Sequence, residues 1–422
     1  MIQILSSAWA LFLGLMLLMV GNGLQGTLLG VRGDIEGFST LEMSAVMSAY
    51  FVGFLGGSRM APEMIRRVGH VRVFAALASM ISAVLILYPA LVHPAAWILG
   101  RVVIGFCFSG VYVTAESWIN NAADNENRGK ALSLYMMVQT FGIVAAQGLL
   151  LVADPSGYVL FVIISVLVSV SFAPILLSIS PTPAFGSTKP LSIKELLQVS
   201  PLGCVGMFLL GGVFAAQFGM AAVYGGEAGL TLPQISIFVA AFYVGAVLLQ
   251  YPLGWLSDRM DRRLLIAIVS TIGGLGAVLG IFGDAMFEVL LVAAFVVGGM
   301  VNPLYSLLVA YTNDFLDPDD MAAASGGLVF INGVGAIMGP LITGWLMGVI
   351  GPDGYFVVIA VLLAATAAYA VYRMTQRAAI PAEDTTAYTP VMASATPVAV
   401  EFAREYAIES AAEEDEEPSA SN

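Results

Sequence analysis

Five residues of one apolar stretch carry the side chains best suited to chemistry. Arg101, Gly105, Phe108, Tyr112 and Glu116 follow one another at intervals of four, three, four and four residues, a spacing that places them on one face of a helix. A guanidinium on such a face can bind an anion or take part in proton coupling, and a carboxylate can take up and release a proton. At 1.5 Å per residue the two charges lie about 22 Å apart along the helix axis, so they cannot pair with each other.

The composition defines the environment in which these side chains work. Of 422 residues, 59% are hydrophobic and only 11% are charged, whereas soluble proteins carry about 45–50% and about 25%. This excludes a soluble enzyme. Two cysteines and two histidines exclude a disulfide scaffold and multi-cysteine metal sites. No metal and no cofactor are therefore expected, and no ATP-binding Gly-x-x-x-x-Gly-Lys loop is found.

Hydrophobic runs of a length that can cross a bilayer, about 20 residues, recur along the chain. Twelve are predicted, at 9–31, 43–58, 73–91, 95–119, 131–152, 158–179, 201–224, 234–256, 264–283, 286–312, 322–350 and 354–373. The fold class is therefore an all-α membrane protein with twelve transmembrane helices. A proline-rich break after the sixth divides it into six-helix bundles at 1–180 and 201–377, joined by a cytoplasmic linker at 181–200.

The basic residues predict the orientation. With the N-terminus inside, 14 of the 16 Lys and Arg residues fall on the cytoplasmic side, as the positive-inside rule requires. The exceptions are Arg32, outside, and Arg101, within a span. Both termini are then cytoplasmic. Residues 381–422 hold ten acidic side chains and one basic one, so they carry −9 of the net charge of −13. Residues 378–422 are predicted to form a disordered acidic tail, with an interaction or regulatory tail as the alternative.

The two halves resemble each other at an offset of 193 residues. Tyr112 falls on Tyr305, and Gly105 on Gly298. Further matches at this offset pair Asn120 with Asn313, Asp124 with Asp317, Gln139 with Asn332 and Gly142 with Gly335. A parallel repeat of two six-helix halves is a design of secondary transporters, with the substrate site near the midplane between the halves.

Short motifs carry a resemblance to a known family. The segment 254–263, Gly-Trp-Leu-Ser-Asp-Arg-Met-Asp-Arg-Arg, resembles the loop signature of the major facilitator superfamily, except that Asp261 stands where glycine is usual. The corresponding loop of the first half departs further, with Arg66 at the position of the aspartate. Arg101-Val-Val-Ile-Gly105 is similar to the Arg-x-x-x-Gly signature of span four. The segments 115–118 and 126–130 also resemble the bacterial YcaD-like branch of the superfamily.

The resemblance implies which helices line a transport pathway, namely spans one, four, seven and ten. The implied pathway residues are Asn22, Gln25, Arg101, Tyr112, Glu116, Gln217, Asn302 and Tyr305. Amides and tyrosines without dense charge suit a neutral or amphipathic substrate better than a polyanion, although hydrogen bonds between helices are the alternative role for each amide. The loops imply a cytoplasmic gate formed by Arg66, Arg67, Arg72, Asp258, Arg259, Arg262 and Arg263.

The expected function is secondary active transport of a small molecule by alternating access, coupled to protons, and not an enzymatic activity. The expected partners are the substrate, protons and the lipid bilayer, without nucleic acid, for a monomer in the cytoplasmic (inner) membrane of a bacterium. The alternative is a transporter-like sensor or assembly factor that signals through the acidic tail. A membrane-embedded enzyme is the weakest interpretation because histidine and cysteine are nearly missing.

Overall fold

The computed structural model describes residues 2–122, 128–177, 192–283, 286–378, 380–381, 385–386, 388–392, 396–401 and 403. These residues form α-helices connected by short loops. The helices are α1 Ile2–Ile35, α2 Thr40–Val68, α3 His70–Ala90, α4 Pro94–Ala122, α5 Arg128–Leu149, α6 Val159–Ser171, α7 Ala173–Leu177, α8 Ile193–Val199, α9 Pro201–Glu227, α10 Leu232–Ser257, α11 Arg262–Ile281, α12 Phe287–Asn313, α13 Pro318–Ile350 and α14 Gly354–Met374.

The helices correspond to the predicted spans, which confirms the all-α membrane fold. Within the described residues, eleven helical segments are long and apolar enough to cross a membrane, and the sixth of the twelve predicted spans corresponds to α6 and α7 together. The remaining predicted span is α2. Its 29 residues include Glu42 in the first turn and Arg66 and Arg67 in the last turn, and these charges lower its hydropathy. It nevertheless packs within the bundle, against α4 and α13.

Local sequence signals set several helix starts. Ser39 begins α2 with a capping box in which Glu42 returns a hydrogen bond to the cap, an arrangement that satisfies two unpaired backbone donors. Ser192 and Glu195 form the same motif at α8. This short helix lies in the segment predicted as linker, whose residues 181–191 lie outside the described part of the chain.

Equivalent helix crossings occur in the two halves. A Cβ atom on Gly105 would lie 1.9 Å from the backbone oxygen of Tyr50, where α4 crosses α2. A Cβ atom on Gly298 would lie 2.1 Å from the oxygen of Phe242, where α12 crosses α10. Small residues permit such close approach of helix backbones in membranes. The match between Gly105 and Gly298 seen in the sequence therefore has the same packing role in both halves.

The halves are in contact at the face that carries the α1–α2 loop, called here the outer face in accordance with the predicted orientation. Thr40 donates a hydrogen bond to Glu227 at 2.6 Å, and Ser48 donates one to the carbonyl oxygen of Ile337 at 2.5 Å. The backbone of Gly344 lies so close to Ser44 that an added Cβ would be 2.3 Å from the Ser44 Cβ. The outer face is thus closed.

At the opposite, inner face the described part of the C-terminal tail lies against both halves. Val391 is 3% exposed and Thr396 is fully buried, and residues 397–401 are helical. This differs from the expected disordered tail. The physical reason is that the segment 388–400 is itself rich in apolar residues, whereas most of the acidic charge follows Ala403, beyond the described residues.

Candidate functional site

Four of the predicted pathway residues form one hydrogen-bonded chain between α1 and α4. Arg101 donates from Nη1 to Oε1 of Gln25 at 2.6 Å. Gln25 donates to Oδ1 of Asn22 at 3.2 Å, and Asn22 donates to the hydroxyl of Tyr112 at 2.8 Å. Asn22 and Gln25 are three residues apart in α1, and Arg101 and Tyr112 are eleven apart in α4, so each pair lies on one face of its helix, at the interface between α1 and α4. The structure therefore joins these residues as one polar strip.

Arg101 is deeply buried beside an aromatic ring. Arg101 is only 4% exposed. Its guanidinium carbon lies 4.8 Å from the ring centroid of Tyr50, within the range of a cation–π contact. Nη2 lies 3.5 Å from the sulfur of Met47, and Nε is buried without a hydrogen-bond partner in the described structure. No ion pair to Arg101 is found among the described residues.

These groups face a cavity between the two halves. Asn22, Gln25, Arg101 and Tyr112 line it from the first half, together with Tyr50. The second half contributes an aromatic wall and one amide: Phe214, Phe218, Tyr243 and Asn332. The rings of Phe214 and Phe218 are 4.4 Å apart, and those of Phe218 and Tyr243 are 4.8 Å apart. A cavity with one cation, several amides and many rings can bind a flat organic molecule with a single polar end.

Sequence reasoning missed most of the second-half wall and Tyr50. Asn332 carried a signal, because it matches Gln139 at the repeat offset. The phenylalanines carried none, since aromatic residues in apolar helices are common and most of them face other helices or lipid. Only the packing of the two halves brings Tyr50 and Phe218 into one cavity.

Glu116 lies apart from this chain and has different partners. Its Oε1 accepts a hydrogen bond from the hydroxyl of Tyr135 in α5 at 2.7 Å. Its Oε2 accepts one from Thr396 in the C-terminal tail. Glu116 is 1% exposed, and no ion pair to it is found among the described residues. The prediction that Arg101 and Glu116 do not pair agrees with these contacts.

The other three predicted pathway residues are not part of the strip. Gln217 is buried, and both polar atoms of its side chain lack a partner in the described structure. Asn302 donates to the backbone oxygen of Gly298 within its own helix at 3.2 Å and lines a second, inner cavity. Tyr305 is buried in the core.

The basic residues predicted to form a cytoplasmic gate lie in two separate groups. Arg66 and Arg67 both pair with Glu63 on the exposed end of α2, the second at 2.7 Å, and Arg72 is exposed at the start of α3. Arg259 stacks on Trp255, with 4.3 Å between the guanidinium carbon and the ring centroid. In the part of the chain that the structure describes, every ion pair lies within one half.

The second-half group is a compact network around Arg262. Arg262 pairs with Asp314 at 2.5 Å and with Asp258 at 3.4 Å. Burial raises the pKa of Asp314, which lies just beyond α12, although Arg262 opposes that effect. Partial burial also acts to raise the pKa of Asp261, but the hydrogen bonds from Arg263 outweigh it and hold this pKa below its ordinary value. Asp261, at the position where the motif usually has glycine, therefore acts as the N-cap of α11.

Comparisons with known proteins agree with this architecture. Residues 11–225 and 202–397 each match the model of the Major Facilitator Superfamily. The chain is 25% identical over 351 residues to an uncharacterized MFS-type transporter, YcaD, of Escherichia fergusonii, covering 82% of this chain and 90% of that protein. Its fold is similar to that of a variant of the nucleoside transporter NupG, with a TM-score of 0.73 at 15% identity, covering 86% of this chain and 98% of that one. A variant of the Escherichia coli fucose:proton symporter FucP has a TM-score of 0.57 at 15% identity, covering 88% and 99%.

Proposed function

This chain belongs to the major facilitator superfamily, and from that premise we propose that it is a proton-coupled secondary transporter of small amphipathic molecules with one anionic group. It works by alternating access in a bacterial cytoplasmic membrane, with both termini on the cytoplasmic side. The observation that carries the substrate class is Arg101, a buried cation in the cavity wall that forms no ion pair with any described residue.

The energetics of burial support an anionic substrate group. Taking an ion out of water costs several kcal/mol unless an opposite charge and hydrogen bonds compensate for it. Gln25 supplies a neutral acceptor at 2.6 Å, and Tyr50 supplies a cation–π contact. Nε of Arg101 is left without a partner in the described structure. A carboxylate on the substrate would supply the missing charge and form paired hydrogen bonds with the guanidinium.

The lining of the cavity supports a flat apolar body for the rest of the substrate. Phe214, Phe218 and Tyr243 present rings from the second half, opposite the guanidinium and amides of the first half. One cation favours a monoanion over a polyanion. The rings favour an aromatic or otherwise planar molecule, because stacked and edge-to-face contacts add to the burial of apolar surface.

Glu116 supports the proton-coupling part of the proposal. It is a buried carboxylate whose neighbours in the described structure, Tyr135 and Thr396, are hydrogen-bond donors without charge. Ionisable groups inside the membrane default to roles in ion or proton pathways. One protein of similar fold is a fucose:proton symporter, which is consistent with coupling of this kind.

A binding experiment tests the substrate class. The thermal unfolding of the purified protein is followed with benzoate, hippurate and indole-3-acetate, each beside its neutral amide. A ligand that binds the native state at a hundred times its Kd stabilises it by about 2.7 kcal/mol. We expect at least one acid to raise the unfolding temperature more than its amide does, and Arg101→Gln to abolish that difference. Equal shifts for every acid and amide pair, or no shift at all, would contradict the proposal.

A transport experiment tests the coupling. The acid that stabilises the protein best is offered to proteoliposomes with and without an imposed pH gradient. We expect Glu116→Gln to abolish gradient-driven accumulation while substrate exchange without a gradient continues. Glu63→Gln serves as the matched control, because Glu63 is an exposed carboxylate at the end of α2. Accumulation that persists in Glu116→Gln would remove Glu116 from the coupling mechanism.

A further inference from the structure

The described residues of the C-terminal segment 386–403 lie between the two halves at the inner face, and we propose that this segment is an autoinhibitory plug that holds the transporter in its inward-facing state. The inference rests on the proposed transport function. The plug is supported by specific contacts between the tail and both halves, which a disordered tail would not make.

The contacts with the second half are the most extensive. Val391 forms two hydrogen bonds with Ser306 of α12: its N–H donates to the hydroxyl at 2.8 Å, and its oxygen accepts from that hydroxyl at 3.0 Å. The hydroxyl of Tyr388 accepts from Gln250 of α10 at 2.9 Å, and the Tyr388 N–H donates to Asp258 at 2.8 Å. The tail is thus bound to both α10 and α12 by specific hydrogen bonds.

A glycine in α10 provides the space for the ring of Tyr388. A Cβ atom on Gly254 would lie 2.6 Å from two ring carbons of Tyr388, which is closer than real Cβ contacts are. Nearer the start of the segment, Thr386 donates from its backbone N–H and from its hydroxyl to Asp314, both at 2.9 Å. The tail is therefore held at three successive positions, 386, 388 and 391.

The contact with the first half is made by Thr396. Its hydroxyl donates to Glu116, the carboxylate assigned above to proton coupling. Beyond Thr396 the chain turns into a short helix whose Ala399 and Val400 are 1% and 3% exposed. One peptide segment thus contacts Ser306 on one side of the inner opening and Glu116 on the other.

Two consequences make this contact inhibitory. Met392 lines the central cavity beside Asn22 and Arg101, so the tail shares the space that the substrate would use. A wedge between the halves also prevents the inner face from closing, while the outer face is already closed through Ser48 and Ile337. The tail must therefore leave before the transporter can cycle. If it is docked about nine-tenths of the time, it raises the apparent Kd for substrate from the inner side about tenfold.

Cysteine labelling tests the docking independently of transport. The two native cysteines, Cys107 and Cys204, are buried, so Cys107→Ala and Cys204→Ala provide the background. Thr396→Cys places a thiol at a fully buried tail position, and Thr375→Cys is the matched control at an exposed position after α14. In purified protein, we expect a hydrophilic maleimide to modify Thr396→Cys at least about tenfold more slowly than Thr375→Cys. Equal rates would overturn the plug.

Two full-length variants release the tail without truncation. Tyr388→Ala removes the ring that packs against Gly254, and Gly254→Ala places a methyl group in the space that this ring occupies. We expect either one to bring the labelling rate of Thr396→Cys to that of Thr375→Cys. In proteoliposomes we expect the same variants, with native Thr396, to transport several-fold faster. Faster labelling without faster transport would overturn inhibition. Absence of transport in every variant would count against the transport function while the labelling result stands.

Discussion

Oε1 of Gln25 lies 2.6 Å from Nη1 of Arg101, at the place where the carboxylate partner of a buried guanidinium would be expected. A neutral amide there satisfies one donor of Arg101 without neutralising its charge. The site therefore keeps a positive charge available to a ligand in the cavity that both residues line.

Replacing this amide by a carboxylate should close the anion site. In Gln25→Glu, a group of nearly the same shape would pair with Arg101 and compete with a substrate carboxylate. We expect the affinity for the aromatic acid to fall at least about tenfold, or about 1.4 kcal/mol, with the unfolding temperature unchanged or raised. Titration calorimetry measures the affinity. Gln25→Ala is the comparison, since it removes the hydrogen bonds to Arg101 and Asn22 and leaves the charge of Arg101 free. Undiminished acid binding in Gln25→Glu would place the anion elsewhere.

The hydroxyl of Tyr112 should contribute through the far end of the same polar strip. Tyr112→Phe leaves Nδ2 of Asn22 without the acceptor that it contacts at 2.8 Å. A fully buried donor without a partner costs about 1–3 kcal/mol. Asn22 is half-buried, so we expect a moderately lower unfolding temperature and weaker acid binding. Tyr158→Phe, at an exposed tyrosine, should change neither. A Tyr112→Phe protein as stable as the parent would show that Asn22 finds another acceptor.

The closed outer face should depend on the small size of Gly344. In Gly344→Ala the added methyl group would meet the side chain of Ser44 at 2.3 Å, whereas nothing lies within 4 Å of a Cβ on Gly348, one turn later. We expect Gly344→Ala to shift the equilibrium toward an outer-open state by about fivefold, the effect of about 1 kcal/mol. Spin labels at Leu41 and Ile350, both exposed, report the separation of α2 and α13 by pulsed electron paramagnetic resonance. A shift in Gly348→Ala as well would point to a general loosening of α13.

Asp261 should stabilise the start of α11 in a pH-dependent manner. Its carboxylate accepts from the backbone N–H of Arg263 at 2.9 Å and from the guanidinium at 2.8 Å. Loss of an N-cap costs about 1 kcal/mol, so we expect Asp261→Ala to unfold at a lower temperature. Asp317, the N-cap of α13, makes no side-chain capping bond, so Asp317→Ala should change little.

The pH dependence has a definite sign. The pKa of Asp261 is lowered in the folded state, so its stabilisation is complete above the ordinary value of about 3.9. It disappears as the pH falls through the lowered folded-state pKa. The difference in unfolding temperature between the parent and Asp261→Ala should therefore be constant at neutral pH and shrink in acid. A difference that grows as the pH falls would be inconsistent with the lowered pKa.

The sequence by itself determined the fold and the helix faces on which the polar residues lie, because both depend on periodicities that a helix imposes. Apolar runs of span length, basic residues concentrated in the loops of one side and a repeat at 193 residues specify two six-helix halves. The helical spacing placed Asn22 with Gln25 on one face of α1 and Arg101 with Tyr112 on one face of α4. The hydrogen bonds that join the two faces are known only from the structure.

Only the tertiary structure decided which surfaces meet. The aromatic wall of Phe214, Phe218 and Tyr243 comes from helices far apart in the chain, and nothing local distinguishes these rings from others. The charges of the loops suggested a gate joining the halves, yet in the described residues Arg262 pairs within its own half. The acidic composition of the tail concealed the contacts of Tyr388, Val391 and Thr396, because whether a short peptide docks depends on the groove that two bundles form between them, and that groove exists only after both have folded.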